Sequence, residues 1–254
     1  MKNSMKLADA ACSAEQVFLP NRYQQPFIDA YQSLTGNEVP EMKERKMSAK
    51  SGDIQFRWSR GRDIPQIVEL ASDADPSLLT VGLTGSEWCR EFESAQPDTS
   101  VVWGRMSEKR LGRVSLIASA NSDIDLIRKG LEGGSEPIGV VTAYPNLIRA
   151  LRTSGQYNLI PAVPVSGCAE GVADTLGMAA VDLVSKGETI AANGFVVVEE
   201  LLDSYPALVS VPKISPVSLS TAGTQRPTIR PDLATYFEEL NTRLGPEWQD
   251  EMFF

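Results

Sequence analysis

The sequence predicts an α/β protein that folds as two lobes, and three observations support this prediction. Short apolar runs alternate with segments of helical periodicity along most of the chain. The 254 residues, 42% of them hydrophobic, are enough for one large core or two smaller ones. A charged, strand-poor segment at Arg105–Leu111 and a turn at Asn193-Gly194 are candidate crossings between lobes. Because alternating strands and helices usually form β-α-β units, we expect mostly parallel sheets.

The individual elements follow from periodicity and from helix-start signals. The predicted strands are the short apolar runs Gln16–Pro20, Asp53–Trp58, Leu78–Leu83, Ser100–Trp103, Arg113–Ser119, Pro137–Thr142, Tyr157–Val163, Phe195–Val198 and Ala207–Val211. The predicted helices are Gln25–Leu34, Asp63–Ala71, Ser86–Glu93, Asp123–Leu131, Pro145–Thr153, Val172–Ser185 and Pro231–Leu244. An acid followed by an early proline, as in Asp63-Ile64-Pro65, is typical of a helix start.

The two candidate crossings divide the chain into a discontinuous lobe and an inserted one. The first lobe is predicted to contain residues 1–109 and 194–254, and the second lobe residues 110–193. Lys213–Pro231 is rich in Pro, Ser and Thr and is predicted to be an extended connection. The apolar stripe of the last predicted helix could pack on the core or on a second subunit.

Composition excludes several classes of function. The chain contains no histidine, which excludes Ser-His-Asp and Cys-His catalysis and imidazole metal ligands. Any chemistry must therefore use carboxylates, Lys, Arg, hydroxyl groups or a bound Mg²⁺. The net charge of −9 argues against binding along a nucleic-acid backbone, although a small anionic ligand needs only a local basic cluster.

The cysteines and the apolar runs indicate a cytoplasmic protein. Cys12, Cys89 and Cys168 are far apart and show no metal-ligand spacing, so we expect reduced thiols and no structural zinc site. No run approaches the roughly 20 apolar residues of a membrane span. The apolar run before Cys12 is too short for an export signal.

The stretch from Asp182 to Ile190 is the most informative part of the sequence. An apolar run that we interpret as helical ends in an acidic residue, and a loop of small hydrogen-bonding residues follows it. Glycine permits close approach of a phosphate, while Ser and Thr hydroxyls and free N–H groups can bind it. The alternative is a simple helix C-terminus, with Gly187 ending the helix and Lys186 offsetting its dipole.

An ordered set of motifs resembles the ATP phosphoribosyltransferases that open histidine biosynthesis. The likeness runs from about Val17 to Val209. Its motifs are Phe18-Leu19-Pro20 with Arg22, Arg60-Gly61-Arg62-Asp63-Ile64-Pro65, Val81-Gly82-Leu83-Thr84-Gly85, Arg113-Val114-Ser115-Leu116, Thr142-Ala143-Tyr144-Pro145-Asn146-Leu147, Ser166-Gly167-Cys168-Ala169-Glu170 and the loop after Asp182.

The resemblance implies a fold and a reaction. The implied fold has two α/β lobes like those of type II periplasmic binding proteins, with the substrates in the cleft between them. The implied reaction is attack by N1 of the adenine of ATP on C1′ of phosphoribosyl pyrophosphate, with release of pyrophosphate and a requirement for Mg²⁺. The adenine nitrogen is itself the nucleophile, which suits a chain without histidine.

The resemblance also implies roles for particular residues. The phosphate-binding and carboxylate roles would fall to Ser185, Gly187 and Thr189 for the 5′-phosphate, Lys186 and Glu188 along the same loop, and Asp182 and Glu170 for the ribose hydroxyls or Mg²⁺. The remaining candidates are Arg22, Arg60 and Arg113 for pyrophosphate or the phosphates of ATP, and Thr84 and Gly85 at the border of the cleft.

Three departures from the family pattern affect the proposed site. The family usually has a hydroxyl residue where Lys186 stands, an acidic residue where Met178 stands, and a Lys-Gly-Arg run where this chain has Asn21-Arg22-Tyr23. These departures motivate two variants of the functional hypothesis. One is a specialised paralogue in a purine-nucleoside natural-product pathway, and the other is an inactive regulatory subunit that binds nucleotide or phosphoribosyl pyrophosphate.

The resemblance further implies partners. We expect a homodimer or higher homo-oligomer, and short members of the family depend on a partner related to histidyl-tRNA synthetases. About 45 residues follow Val209, too few for the regulatory domain of the long form, so feedback inhibition by histidine through such a domain is not expected. An exported solute-binding receptor of the same fold is disfavoured, because no export signal is recognised.

Overall fold

A computed structural model describes residues 7–21, 24–41, 47–133 and 136–212 of the chain. Its helices are α1 (Leu7–Cys12), α2 (Gln25–Thr35), α3 (Ile64–Ala74), α4 (Ser86–Ala95), α5 (Ile124–Leu131), α6 (Pro145–Thr153), α7 (Ala169–Leu176) and α8 (Glu188–Ala192), with a 3-10 turn at Gly61–Asp63. The strands form two separate sheets, so the predicted two-lobed α/β fold is confirmed.

The first sheet contains six strands. In spatial order they are β2 (Ser48–Ser51), β3 (Ile54–Ser59), β1 (Gln16–Pro20), β4 (Thr80–Gly85), β11 (Pro206–Ser210) and β5 (Val102–Arg105). Alternate residues of a strand face opposite sides of the sheet, and successive residues of β1 accordingly join two different core clusters. Val17 and Leu19 of β1 pack with Tyr31 of α2, whereas Phe18 packs on the opposite face with Ile64 of α3.

The second sheet contains five strands and lies in the inserted part of the chain. In spatial order they are β10 (Phe195–Ser204), β6 (Gly112–Ser119), β9 (Ala179–Val184), β7 (Ile138–Thr142) and β8 (Leu159–Pro164). Val114 and Leu116 of β6 pack with Ile148 of α6, while Ile117 faces the other side with Ala173 of α7. Each lobe therefore has a sheet covered on both faces.

The sheets are mixed, which differs from the prediction of mostly parallel sheets. In the part of the chain that the structure describes, β1 is parallel to β3 and β4, and β7 is parallel to β8 and β9. The other pairings are antiparallel. β2 and β3 form a hairpin, β6 pairs with β10 and β9, and β11 pairs with β4 and β5.

The predicted helix Val172–Ser185 is wrong, because this stretch contains the end of α7 and all of β9. Gly177 ends α7 in the left-handed conformation, with φ +62° and its N–H donating to Ala173 and Asp174. Such a glycine stops a helix. The alternative reading of Gly187 as the end of a helix is also wrong, since Gly187 precedes α8.

The second lobe boundary also differs from the prediction. A boundary at residues 193 and 194 assigns Phe195–Ser204 to the first lobe, but this strand pairs with β6 along its length in the second sheet. The chain crosses at Tyr205 instead, directly between β10 and β11. The predicted helix Pro231–Leu244 and the predicted extended segment Lys213–Pro231 lie outside the described residues.

Candidate functional site

The loops at the carboxyl ends of the parallel strands form the candidate site. In open α/β sheets, ligands bind beyond these strand ends. In the second lobe, β7 leads to Tyr144, β8 to Val165–Cys168 and β9 to Ser185–Gly187. In the first lobe, β3 leads to Arg60–Asp63 and β4 leads directly into α4.

Asp182 and Glu170 are brought together at this edge, although they lie on different elements. Asp182 is on β9, opposite Ser115 of β6, and Glu170 is in the first turn of α7. Burial raises the pKa of Asp182 to about 6, and the neighbouring carboxyl group of Glu170 adds to the rise. The N–H of Leu183 donates to Asp182 Oδ1 at 2.8 Å and opposes it. A cation or a hydroxyl donor at this carboxyl pair would therefore be stabilised.

The loop after Asp182 is open to solvent. Ser185, Lys186, Glu188 and Thr189 are exposed, and Gly187 is half-buried at the start of α8. Gly187 has φ +74°, a conformation that favours glycine, and no atom lies within 4 Å of where its Cβ would be. The N–H groups of the first turn of a helix have no partner within the helix. The loop thus offers backbone donors and two hydroxyl groups to a ligand.

Gly112 holds the start of this loop close to β6. A Cβ at Gly112 would lie 2.6 Å from the carbonyl oxygen of Val184 and 3.0 Å from the Cα of Ser185. Only glycine allows such an approach without a shift of the backbone. The first crossing between the lobes therefore ends directly beside the loop.

The predicted arginines have different surroundings. Arg60 is exposed and immediately precedes the 3-10 turn. Arg113 pairs with Glu200 and, at 3.2 Å, with Asp203, so its charge already has two acidic partners. Arg22 lies outside the described residues.

Thr84 and Gly85 are buried at the end of β4, where the chain enters α4. The Thr84 hydroxyl donates to the carbonyl of Gly61 at 2.7 Å. A Cβ at Gly85 would lie 2.2 Å from a carboxylate oxygen of Glu87. Both residues are therefore covered by neighbouring atoms, and their place at the border of a substrate cleft stays a prediction.

Glu87 is a buried acid that sequence reasoning missed. Its side chain is 2% exposed, and it accepts a hydrogen bond from Ser204. Burial raises its pKa to about 7, the bond from Ser204 opposes the rise, and the charge of Asp182 adds to it. An acidic residue in the first turn after a fully buried strand was the available signal.

The described residues contain no group of three or more side chains that could hold a metal ion on their own. Asp182 and Glu170 supply two carboxylates, which suits Mg²⁺, because that ion usually takes one or two protein carboxylates and completes its shell with water and substrate phosphates. Met178 packs among the apolar residues next to Ala180. Within the described ranges, no helix is both long and apolar enough to cross a membrane.

Comparison with known proteins identifies the family. The family model described as HisG, ATP phosphoribosyltransferase, matches residues 60–224. The chain belongs to the ATP phosphoribosyltransferase family. An ATP phosphoribosyltransferase of Gemmatimonas aurantiaca is 33% identical over 180 residues, which cover 69% of this chain and 56% of that protein. One of Methanopyrus kandleri is 28% identical over 183 residues, covering 70% of this chain and 57% of that protein.

The chain therefore spans little more than half the length of these ATP phosphoribosyltransferases. A solved structure, the ATP phosphoribosyl transferase (HisG:HisZ) complex from Thermotoga maritima, superposes with a TM-score of 0.54 at 20% identity, covering 89% of this chain and 96% of that chain. This likeness supports the two-lobed fold. The matched region contains Arg60, Thr84, Arg113, Glu170 and the loop from Asp182 to Thr189.

Proposed function

We propose that this protein transfers the phosphoribosyl group of phosphoribosyl pyrophosphate to N1 of the adenine of ATP, or of a close purine nucleotide, with release of pyrophosphate. The observation that carries the proposal is the adjacency of the Asp182–Glu170 carboxyl pair to the open Gly187 loop at the strand ends. Family membership supplies the reaction class.

The loop from Ser185 to Thr189 would hold the 5′-phosphate. The two hydroxyl groups and the first-turn N–H groups of α8 are donors, and the absent side chain of Gly187 leaves room for the phosphate oxygens. Exposed Lys186 would add positive charge, and Glu188 would line the same loop.

Asp182 and Glu170 would hold the ribose hydroxyls or Mg²⁺. The ion, when bound, would neutralise charge on the departing pyrophosphate. Exposed Arg60, and Arg22 outside the described residues, are proposed contacts for the substrate phosphates. Arg113 could join them only by exchanging its pairing with Glu200 and Asp203.

No protein nucleophile is required, because the adenine nitrogen attacks C1′. Catalysis would then come from holding two polyanions in line and stabilising the leaving group. The test is incubation of the pure protein with ATP, phosphoribosyl pyrophosphate and Mg²⁺, followed by mass spectrometry. Formation of phosphoribosyl-ATP with matching pyrophosphate release is expected, and its absence across purine nucleotides would contradict the proposal.

A second candidate function is an inactive subunit that binds phosphoribosyl pyrophosphate or nucleotide without turnover. Lys186 favours it, because a lysine replaces the usual hydroxyl residue in the phosphate loop. Thermal stabilisation by ligand without pyrophosphate release would support this function. Activity that appears or increases in Lys186→Thr would show that the lysine weakens turnover, whereas a large loss would show that its charge is used.

We also propose the first step of histidine biosynthesis as the pathway, in the cytoplasm, with a purine-nucleoside natural-product pathway as the alternative. A histidine auxotroph that lacks this step should grow without histidine when it expresses this protein if the first pathway is correct, and should not grow if the alternative is correct. The Thermotoga maritima structure is a HisG:HisZ complex. By analogy we propose a homodimer or larger homo-oligomer with a histidyl-tRNA-synthetase-like partner, testable by light scattering with and without such a protein.

A further inference from the structure

Glu91 lies on a helix of the first lobe, but its carboxylate binds the second lobe. It accepts from the backbone N–H of Asn146 at 3.1 and 3.0 Å, from Asn146 Nδ2 at 2.7 Å and from the N–H of Leu147 at 2.7 Å. All of these donors belong to the first turn of α6. One carboxylate therefore joins α4 of one lobe to α6 of the other.

This carboxylate replaces a missing cap. Helices are usually capped by the side chain of their own N-cap residue, but Tyr144 at that position of α6 makes no such bond. Glu91 supplies the acceptor from 55 positions earlier in the chain. A negative charge at a helix N-terminus is also stabilised by the helix dipole. Burial raises the pKa of Glu91, and the bonds from Leu147 and Asn146 oppose that rise.

Two further contacts between the lobes lie on the same face of α4. The ring of Trp88 lies 4.5 Å from that of Tyr144, and Glu87 accepts from Ser204 at the second crossing. Residues three and four positions apart share one face of a helix. Trp88 also lies against Gly61, in the 3-10 turn that follows β3. This face of α4 therefore contacts both sets of loops that border the cleft.

We propose that Glu91 is a positioning residue that holds the Tyr144–Leu147 corner against the first lobe and so sets the spacing across the cleft. The catalytic part of this proposal rests on the proposed function, because the spacing between the lobes would set the distance from the adenine N1 to C1′ of the sugar. Without this carboxylate, the second lobe can rotate about the two crossings. We assign no substrate contact to Glu91, because its carboxylate is already engaged by the donors of α6.

The native cysteines allow a direct measurement of lobe placement. Cys12 in the first lobe and Cys168 in the second are exposed, whereas Cys89 is buried. Nitroxide labels on the two exposed thiols report the distance between the lobes by pulsed electron resonance. We expect a broader or displaced distance distribution in Glu91→Ala than in the unsubstituted protein.

Glu93→Ala is the matched control. Glu93 lies on the same helix, but its carboxylate accepts from Trp103 Nε1, at 3.4 Å, within the first lobe. Its distance distribution should match that of the unsubstituted protein. If Glu91→Ala folds poorly, Glu91→Gln and Asn146→Ala each remove part of the same contact. An unchanged distribution in every folded variant at these two positions would overturn the proposal.

Activity supplies a second readout. We expect Glu91→Ala to lower kcat roughly 10- to 100-fold, because the reacting groups are misplaced when the lobe spacing changes. The KM for phosphoribosyl pyrophosphate should change by less than about threefold, since its loop is intact, and Glu91→Gln should recover part of kcat. An unchanged kcat despite altered lobe spacing would contradict the catalytic part. If the unsubstituted protein makes no product, the proposed function fails and the distance measurement still decides the role of Glu91.

Discussion

At the scale of single residues, Asp182 has a proposed role in ligand binding and an effect on stability. Its carboxyl group has a pKa of about 6, raised chiefly by burial and then by Glu170. A carboxyl group whose pKa is higher in the folded state stabilises the fold below its ordinary pKa, and this contribution is lost as the pH rises through the folded value. Above that pH the fold retains a charge that weakens it.

We therefore expect Asp182→Asn to lose activity and gain stability at the same time. The amide cannot bind Mg²⁺ or ribose as a carboxylate does, and it removes the repulsion with Glu170. Initial rates should fall at least about 100-fold, as for other electrostatic groups. The midpoint of thermal unfolding at about pH 8 should rise. Retained activity together with lower stability would contradict the assignment.

Gly187 can be tested against a glycine of the same conformation. Gly36 ends α2 with φ +73°, and no atom lies within 4 Å of a Cβ there either. Alanine at either position should cost roughly 1 kcal/mol for the left-handed backbone. Only Gly187→Ala should also weaken binding of phosphoribosyl pyrophosphate, measured by calorimetry. Equal binding by the two variants would count against the loop assignment.

At the scale of elements, glycines determine where one helix ends and how closely another packs on its sheet. The apolar runs and helix starts predict most of the described elements, with ends displaced by a few residues. The prediction of one helix over Val172–Ser185 is wrong because apolar residues suit either a helix or a buried strand. Gly177 separates the end of α7 from β9. Ser185–Gly187 do form a loop, as predicted, and its role in binding phosphate stays a prediction.

Gly82 sets the distance between β4 and α3. A Cβ there would lie 2.4 Å from Ile64 Cγ2 and 2.8 Å from Val68 Cγ2. We expect Gly82→Ala to destabilise the protein by roughly 1–3 kcal/mol, as overpacked cores do. The control is Gly171→Ala in α7, where a Cβ meets no atom within 4 Å and should stabilise the helix by roughly 0.5–1 kcal/mol. Urea unfolding would measure both, and a neutral Gly82→Ala would contradict the packing argument.

At the scale of the whole molecule, the site depends on long-range contacts that a sequence does not display. The pairing of Arg113 with Asp203 and Glu200 joins the neighbouring strands β6 and β10, whose paired residues are 90 and 87 positions apart in the chain. Glu87 accepts its hydrogen bond from Ser204, 117 positions later. The family resemblance assigned Asp182 and Glu170 to the same ligand, and the structure brings their carboxyl groups together, although Asp182 lies on β9 and not on the predicted helix. Which arginines remain open to a ligand depends on partners distant in the chain.

Glu87 makes the stability of the whole fold depend on pH. Its pKa rises from 4.5 to about 7, so its contribution is present below the lower value and is lost as the pH rises through the higher one. At about 1.4 kcal/mol per unit, this loss amounts to roughly 3 kcal/mol. Glu87→Gln, which keeps an acceptor for Ser204, should flatten unfolding free energy between about pH 5 and about pH 8. An equal pH dependence of the unfolding free energy in Glu87→Gln and the unsubstituted protein would contradict this.

The two crossings have a consequence for how the chain can be divided. Gly112 and Ser204 are direct partners in the β6–β10 ladder, and the N–H of Leu111 donates to the carbonyl of Ser204 at 2.8 Å. Residues 112–204 thus leave and rejoin the remainder through neighbouring backbone positions. We expect residues 112–204 to tolerate exchange for the matching residues of a relative, because the two junctions already lie side by side.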